Sequence, residues 1–140
     1  MYANSTSNPT GTAQTSAMAF TKTTGSANVD DLATIENGRI KVKFSGKVIV
    51  SGYVYVIGSS GPQVHAGISK YNSAATSYTQ LQRVWTPSNA TSGQTLSLPS
   101  IVIPVTNGES ITVIGGSAGS YTLGANNAEY NALNIIFLPD

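Results

Sequence analysis

Apolar side chains recur at every second position along most of this chain, which is the spacing of β-strands. Arg39–Phe44 (RIKVKF) alternates cationic and apolar side chains without a break, so this strand has one polar and one apolar face. Lys47–Ile57 (KVIVSGYVYVI) is β-branched or aromatic on both faces, which predicts a strand that is covered on both sides. Shorter apolar stretches predict further strands at Val64–Tyr71, Leu81–Trp85, Gln94–Leu98, Ile101–Val105, Ile111–Ile114, Tyr121–Leu123 and Ala132–Leu138.

Helical periodicity is nearly absent from the sequence. Only Asp30–Thr34 offers a single helical turn, and turn-forming residues separate the strands at intervals of roughly ten residues. Pro104 predicts that Ile101–Val105 lies at a sheet edge or leads into a turn, because proline cannot donate to a ladder. We therefore predict an all-β fold, a jelly-roll sandwich of about ten antiparallel strands.

The alternating pattern starts only at Met18. Residues 1–17 are mostly Ser, Thr, Asn, Gly and Ala, which predicts a flexible segment or one that is ordered only by a partner. Residues 18–140 are then the head domain, and a length of 140 residues suits one such domain.

Composition narrows the classes of partner. With 7 basic and 6 acidic side chains and a net charge of +1, the chain lacks the cationic excess that nucleic acid requires. It has no cysteine, which excludes disulfides and thiol chemistry, and its apolar runs are too short to span a membrane. A surface rich in uncharged Ser, Thr and Asn is common on virions and on extracellular proteins, so we expect one of these locations.

Three segments, in order, resemble the globular-head superfamily of the first complement component and tumour necrosis factor. Gly38–Val56 (GRIKVKFSGKVIVSGYVYV) is similar to the family's G-x-F-x-V-x-x-x-G-x-Y-x-F-x-Y-x-V segment. Ile103–Val113 (IPVTNGESITV) is similar to its L-x-x-G-D-x-V-W-V hairpin, with Gly108-Glu109 at the Gly-Asp position. The C-terminal segment NALNIIFLPD resembles its terminal S-x-F-x-G-F-L strand.

The resemblance implies a jelly roll that assembles as a homotrimer, with its terminal strand in the sheet that faces the three-fold axis. It also implies a head of the kind found in phage fibres, baseplates and bacterial surface proteins. Tyr53 and Tyr55 share one face of the predicted central strand, and Phe137 lies in the terminal strand, so we expect these three residues at the trimer axis.

Aromatic and cationic residues flank the loop at residues 72–77. Tyr71, Tyr78, Arg83 and Trp85 combine ring faces for stacking with a guanidinium donor, which is what a glycan site needs. The alternative is that these rings belong to a subunit interface, where Tyr and Trp are also common.

Asp30, Asp31 and Glu36 form the only acidic cluster in the sequence and are candidate calcium ligands. Their spacing does not match a calcium loop, and a solvated turn that keeps edge strands from pairing explains them better. No other cofactor is expected.

No catalytic pattern is found. His65 is the only histidine, and nothing in its spacing to an acidic residue or a nucleophile suggests a triad or a metal site. Arg39, Lys41 and Lys43 share one strand face, where they either guard against edge pairing or contact an anionic polymer.

These features predict a non-enzymatic, homotrimeric head of a phage tail, baseplate or fibre protein. Its partners would be further copies of itself and either a host-surface saccharide or neighbouring tail proteins. Three weak sites on one rigid head would bind a surface through avidity. The alternatives are a purely structural trimerisation module and the head of a bacterial surface or spore-coat adhesin.

Overall fold

Two antiparallel β-sheets contain nearly all of the secondary structure. The computed structural model describes residues 1–5, 10–11, 16–24, 29–58, 63–87, 93–117, 119–123 and 131–140, and within them are fourteen strands and one short helix. In chain order they are β1 (Tyr2–Asn4), β2 (Thr10–Gly11), β3 (Ser16–Ala17), β4 (Thr21–Thr24), α1 (Val29–Leu32), β5 (Ala33–Glu36), β6 (Arg39–Val42), β7 (Gly46–Gly58), β8 (Gln63–Tyr71), β9 (Tyr78–Gln80), β10 (Val84–Pro87), β11 (Gln94–Val105), β12 (Ser110–Ser117), β13 (Tyr121–Leu123) and β14 (Ala132–Pro139).

The all-β prediction is confirmed, and the expected helical turn is α1. More strands are found than the roughly ten that were predicted, because several have only two to four residues and are too short to show an alternating pattern. None of the described residues forms a helix long and apolar enough to cross a membrane.

The first sheet, which we call the β7 sheet, is built around the longest strand. β7 pairs with β14 and β13 along one edge and with β11 along the other. Beyond these neighbours, β1 and β4 extend the sheet from β14, and β2 pairs with β13. Among the described strands β11 pairs only with β7, so the edge position predicted from Pro104 is confirmed.

The second sheet, which we call the β8 sheet, has the strand order β10-β8-β12-β6-β5. β9 also pairs with β8, and β3 pairs with β12. β8 and β12 are paired over eight consecutive residues, from Tyr71 opposite Ser110 to Val64 opposite Ser117. This long ladder fixes the relative positions of all side chains on the outer face of the sheet.

The core lies between the two sheets and consists of alternate side chains from each. Val48, Val50 and Val54 of β7 are buried there, and Ile68 and Ile111 reach the same cluster from the β8 sheet. Burial of each such side chain contributes about 1.5–3 kcal/mol to folding. The sides of the two sheets that face away from this core are their outer faces.

The N-terminal residues are part of the β7 sheet. β1 lies between β14 and β4, and the Met1 ammonium donates to the Ile135 carbonyl at 2.7 Å. Residues 2–4 are therefore an inner strand, although composition placed the start of the head at Met18. Residues 6–9 and 12–15 of the expected N-terminal segment lie outside the described residues.

Three predicted strands are rearranged. Gln94–Leu98 and Ile101–Val105 form one strand, β11, whose register shifts between Leu98 and Ile101 around Pro99. Leu81 does not begin a strand, because its N–H and that of Gln82 both donate to the Ile68 carbonyl.

Gly67 allows the Gln80–Gln82 segment to pass over β8. A Cβ at this position would lie 1.7 Å from the Gln82 carbonyl oxygen, so no larger residue fits beneath the Gln80–Gln82 segment. The segment therefore lies directly on the outer face of β8.

We expect Gly67→Ala to lower the free energy of unfolding by about 2 kcal/mol or more, since the added methyl must displace backbone. Urea unfolding measures the change. Thr79→Ala, at an exposed position of β9, is the control and should change the free energy by less than about 0.5 kcal/mol. Equal effects of the two substitutions would contradict the close packing over Gly67.

Candidate functional site

The four candidate glycan-binding residues lie at two separate places on the outer face of the β8 sheet. Tyr71 pairs with Tyr78 at one end of β8, and His65 pairs with Trp85 near the other end. Tyr71 and His65 are six positions apart along β8, or about 20 Å at roughly 3.3 Å per residue. The predicted quartet therefore does not form one binding site.

Trp85, Arg83 and His65 form what we call the Trp85 platform. The indole is 48% exposed and its centroid lies 4.4 Å from that of the His65 ring, with the planes tilted by 50°. The Arg83 guanidinium carbon lies 5.4 Å from the indole centroid, and its Nε donates to Gln80 Oε1 at 2.9 Å. A shallow depression of about 300 Å³ adjoins the indole and is lined by Gln63, Trp85, Thr86 and Pro87. The platform offers a flat ring beside polar groups.

The other end of β8 carries a second aromatic pair. The Tyr71 and Tyr78 ring centroids are 5.3 Å apart, and the Arg39 guanidinium carbon lies 3.9 Å from the Tyr71 centroid. Sequence reasoning missed the pairing of Arg39 with Tyr71. Alternation in RIKV placed Arg39 on a polar face, but only the strand order shows that β12 connects this face to β8.

The candidate calcium ligands are not gathered around a common point. Asp30 and Asp31 lie in α1, whereas Glu36 ends β5 and pairs with Lys41 at 2.6 Å. Lys43 Nζ donates to the main-chain carbonyl of Asp30 at 2.6 Å. Within the described part of the chain, no three His, Cys, Asp or Glu side chains are grouped as a metal site would require.

The three residues expected at the trimer axis are divided between two faces of the β7 sheet. Tyr53 and Tyr55 project from the outer face, where the hydroxyls of Tyr53 and Tyr2 are 3.0 Å apart. Phe137 is opposite the buried Val48 and projects inward, with its ring edge-on to Phe44 at 5.9 Å. Phe137 is thus partly buried against the core and does not share the face of the two tyrosines.

The outer face of the β7 sheet also exposes aliphatic side chains that sequence reasoning did not single out. Val102 is 61% exposed, Ile136 51% and Leu138 44%. Ile49 lies between Ile136 and Val102 in the ladder, so these three form one cross-strand row. We call Ile49, Val102, Ile136 and Leu138 the aliphatic strip.

His65 is buried beneath Trp85. Its Nδ1 has no hydrogen-bond partner among the described residues. Burial, and to a smaller extent the nearby Arg83 charge, lowers the pKa of His65 from 6.5 to about 4. The ring is therefore neutral near pH 7 and acts as an apolar support for the indole.

Sequence comparisons gave no match, either among protein-family models or among curated proteins. Structural comparison gave clear matches. The structure of Eiger TNF from S. frugiperda aligns over 99% of this chain and 91% of that chain, with a TM-score of 0.68 and 13% identity. A crystal structure of murine APRIL at pH 8.0 aligns over 98% of this chain and 96% of that chain, with a TM-score of 0.70 and 12% identity. At this level of identity, the likeness shows that the chain has the jelly-roll fold of these proteins.

We expect the protein to lose stability as the pH falls from 6.5 to 4. In this window the unfolded chain binds a proton at His65 and the folded chain does not, so the free energy of unfolding decreases with pH. The loss is at most about 3.5 kcal/mol, since a pKa difference of one corresponds to about 1.4 kcal/mol. Urea unfolding across the window measures it.

His65→Gln removes the titrating ring and should show a much weaker pH dependence over the same window. Burial alone would raise the pKa of Glu109, but hydrogen bonds from Thr106 and Lys70 hold it below 4.5. Its contribution to stability is therefore lost only from about pH 4.5 downward, at the acid end of the window. The same pH dependence in both proteins would show that His65 does not cause the loss.

Proposed function

We propose that the chain is a non-enzymatic head module that assembles as a homotrimer through the outer face of the β7 sheet. The observation that carries this proposal is the aliphatic strip, which spans β11, β7 and β14 without interruption. Contiguous exposed apolar area on a soluble protein marks an interaction surface, because burying it gains about 25 cal/mol per Å².

A second and a third copy of the chain are the occupants that we propose for this face. The family that the sequence resembles assembles as homotrimers, and the structural likeness to Eiger TNF and APRIL supports the same arrangement here. Tyr53 and Tyr55 lie on the same face as the strip, so in such a trimer they would also be near the subunit interface.

The second part of the proposal is saccharide recognition at the Trp85 platform. An exposed indole stacks on the apolar face of a pyranose ring, while Gln63, Thr86 and Arg83 beside it can exchange hydrogen bonds with sugar hydroxyls. Three platforms on one trimer would convert a weak contact into retention on a sugar-coated surface.

We further propose that the head is displayed on a virion, as part of a phage tail, baseplate or fibre. The low proportion of charged residues, 9%, and the Ser- and Thr-rich composition support an exposed, weakly charged head. The alternative is the head of a bacterial surface or spore-coat adhesin, which would also be exposed and weakly charged.

We expect Ile136→Lys to convert the trimer to a monomer, because the substitution places a charge within the aliphatic strip, beside Ile49. Sedimentation equilibrium at micromolar concentration measures the mass. Trp85→Lys changes a similarly exposed side chain on the other sheet and should remain a trimer. A wild-type protein that is monomeric at this concentration would refute the proposed assembly.

We expect Trp85→Ala to weaken saccharide binding at least tenfold while the trimer is retained, because the stacking surface is lost. Binding is measured on a glycan array and on isolated bacterial cell-wall polysaccharide. Leu81→Ala, at an exposed apolar position outside the platform, is the matched control. Absence of any binding by the wild-type trimer would instead favour a purely structural trimerisation module.

A further inference from the structure

A polar groove of about 230 Å³ opens on the outer face of the β8 sheet at the Tyr71 end. Three turns form its walls: the connection between β5 and β6, the loop at residues 72–77 and the turn before β12. The strand ladder forms its floor, because Lys41, Ser110 and Tyr71 are successive partners across β6, β12 and β8. The groove is separate from the Trp85 platform and from the aliphatic strip.

Arg39 provides the unneutralised charge of this groove. Lys41 forms a salt bridge with Glu36 at 2.6 Å and Lys70 forms one with Glu109 at 3.0 Å. Glu36 is also opposite Arg39 in the β5–β6 ladder, but among the described residues no carboxylate forms a salt bridge with Arg39. Its guanidinium carbon lies 3.9 Å from the Tyr71 ring centroid. Contact with the ring holds the guanidinium in place and leaves its N–H donors available to bind a planar anion with two parallel hydrogen bonds.

The walls of the groove are held in position by their own hydrogen bonds. In the 72–77 loop, Asn72 Oδ1 accepts from the Thr76 N–H at 2.9 Å, and Asn72 Nδ2 donates to Thr76 Oγ1 at 3.0 Å. In the turn before β12, Glu109 Oε2 accepts from the Thr106 N–H at 2.9 Å. Gly108 in that turn has φ of 91°, and its N–H donates to the Val42 carbonyl at 2.9 Å. A ligand would therefore meet a site that needs little ordering.

The size and charge of the groove select a small anionic ligand. Pockets that hold drug-sized molecules have volumes of about 300–1,000 Å³. A groove of about 230 Å³ therefore takes roughly one sugar ring or a smaller group. Its charged side chains, Arg39, Lys41 and Glu36, carry a net charge of +1. Glu36 in the wall disfavours a dianion, which makes a carboxylate a better match than a phosphate.

We propose that this groove binds the carboxylate of a single acidic sugar residue, such as a uronic acid, with Arg39 as its principal contact. The guanidinium receives the carboxylate, and the Ser73 and Ser110 hydroxyls beside it are placed to exchange hydrogen bonds with the sugar hydroxyls. This specificity does not depend on the Trp85 platform and goes beyond the function proposed above.

The test is a titration of ¹⁵N-labelled protein with D-glucuronate at low ionic strength, followed by NMR. The expected result is a dissociation constant in the millimolar range, with amide shifts concentrated at residues 73–75, Gly108 and Ser110. Arg39→Gln should weaken binding at least tenfold, and Arg39→Lys should bind more weakly than wild type because it loses the paired donors. Lys43→Gln removes one positive charge two residues beyond Lys41, at a side chain that does not line the groove, and should bind as wild type does.

Several results would overturn the proposal. Glucose binding as strongly as glucuronate would show that the groove does not recognise the charge of the ligand. Tighter binding of glucose 6-phosphate than of glucuronate would show that the groove prefers a phosphate to a carboxylate. An equal loss in Arg39→Gln and Lys43→Gln would indicate general electrostatic attraction only. Trp85→Ala, which tests the platform, should leave glucuronate binding unchanged, so the two sites can fail independently.

Discussion

The hydrogen-bonded pairing of β7 with strands along both its edges is the constraint on which the rest of the structure depends. Because side chains alternate between the faces of a strand, this register decides at once which residues enter the core and which remain outside. Val48 and Val50 are directed inward, so Ile49 is directed outward, and its partners Ile136 and Val102 must accompany it. The aliphatic strip is thus a direct consequence of the register that builds the core.

The two outer faces of the sandwich differ in how far other parts of the chain cover them. The chain covers the outer face of β8 itself: the Gln80–Gln82 segment lies over Gly67, and Ser69 and His65 are almost completely buried on that side. No described element covers the outer face of β7, although this face carries the more apolar residues. This asymmetry favours contact with other subunits through the β7 sheet and presentation of the β8 sheet to solvent and ligands.

Alternation made the fold class and the central strands predictable from the sequence, but not the arrangement of the site. Ile136 and Phe137 are both apolar, so the sequence could not indicate which of them faces the core; the pairing of Phe137 with Val48 decides it. Tyr71 and Trp85 are close in sequence to one loop, yet Tyr71 lies at one end of β8 and Trp85 pairs with His65 near the other end. β1 was missed because three residues cannot show a period. In each case the missing information was the partner of a strand, which local composition does not specify.

The position of β1 has a consequence for the order in which the protein can form. Tyr2 is opposite Asn134, so an inner strand of the β7 sheet is completed only when the first and last strands of the chain meet. During synthesis, β1 can pair with β14 only after β14 has left the ribosome, and closing so long a loop is slow compared with forming a hairpin. The residues that follow β1 are rich in Ser, Thr and Asn, a composition that remains well hydrated during this wait. The polar composition after β1, which shows no strand pattern in the sequence, is thus suited to the period before β1 pairs with β14.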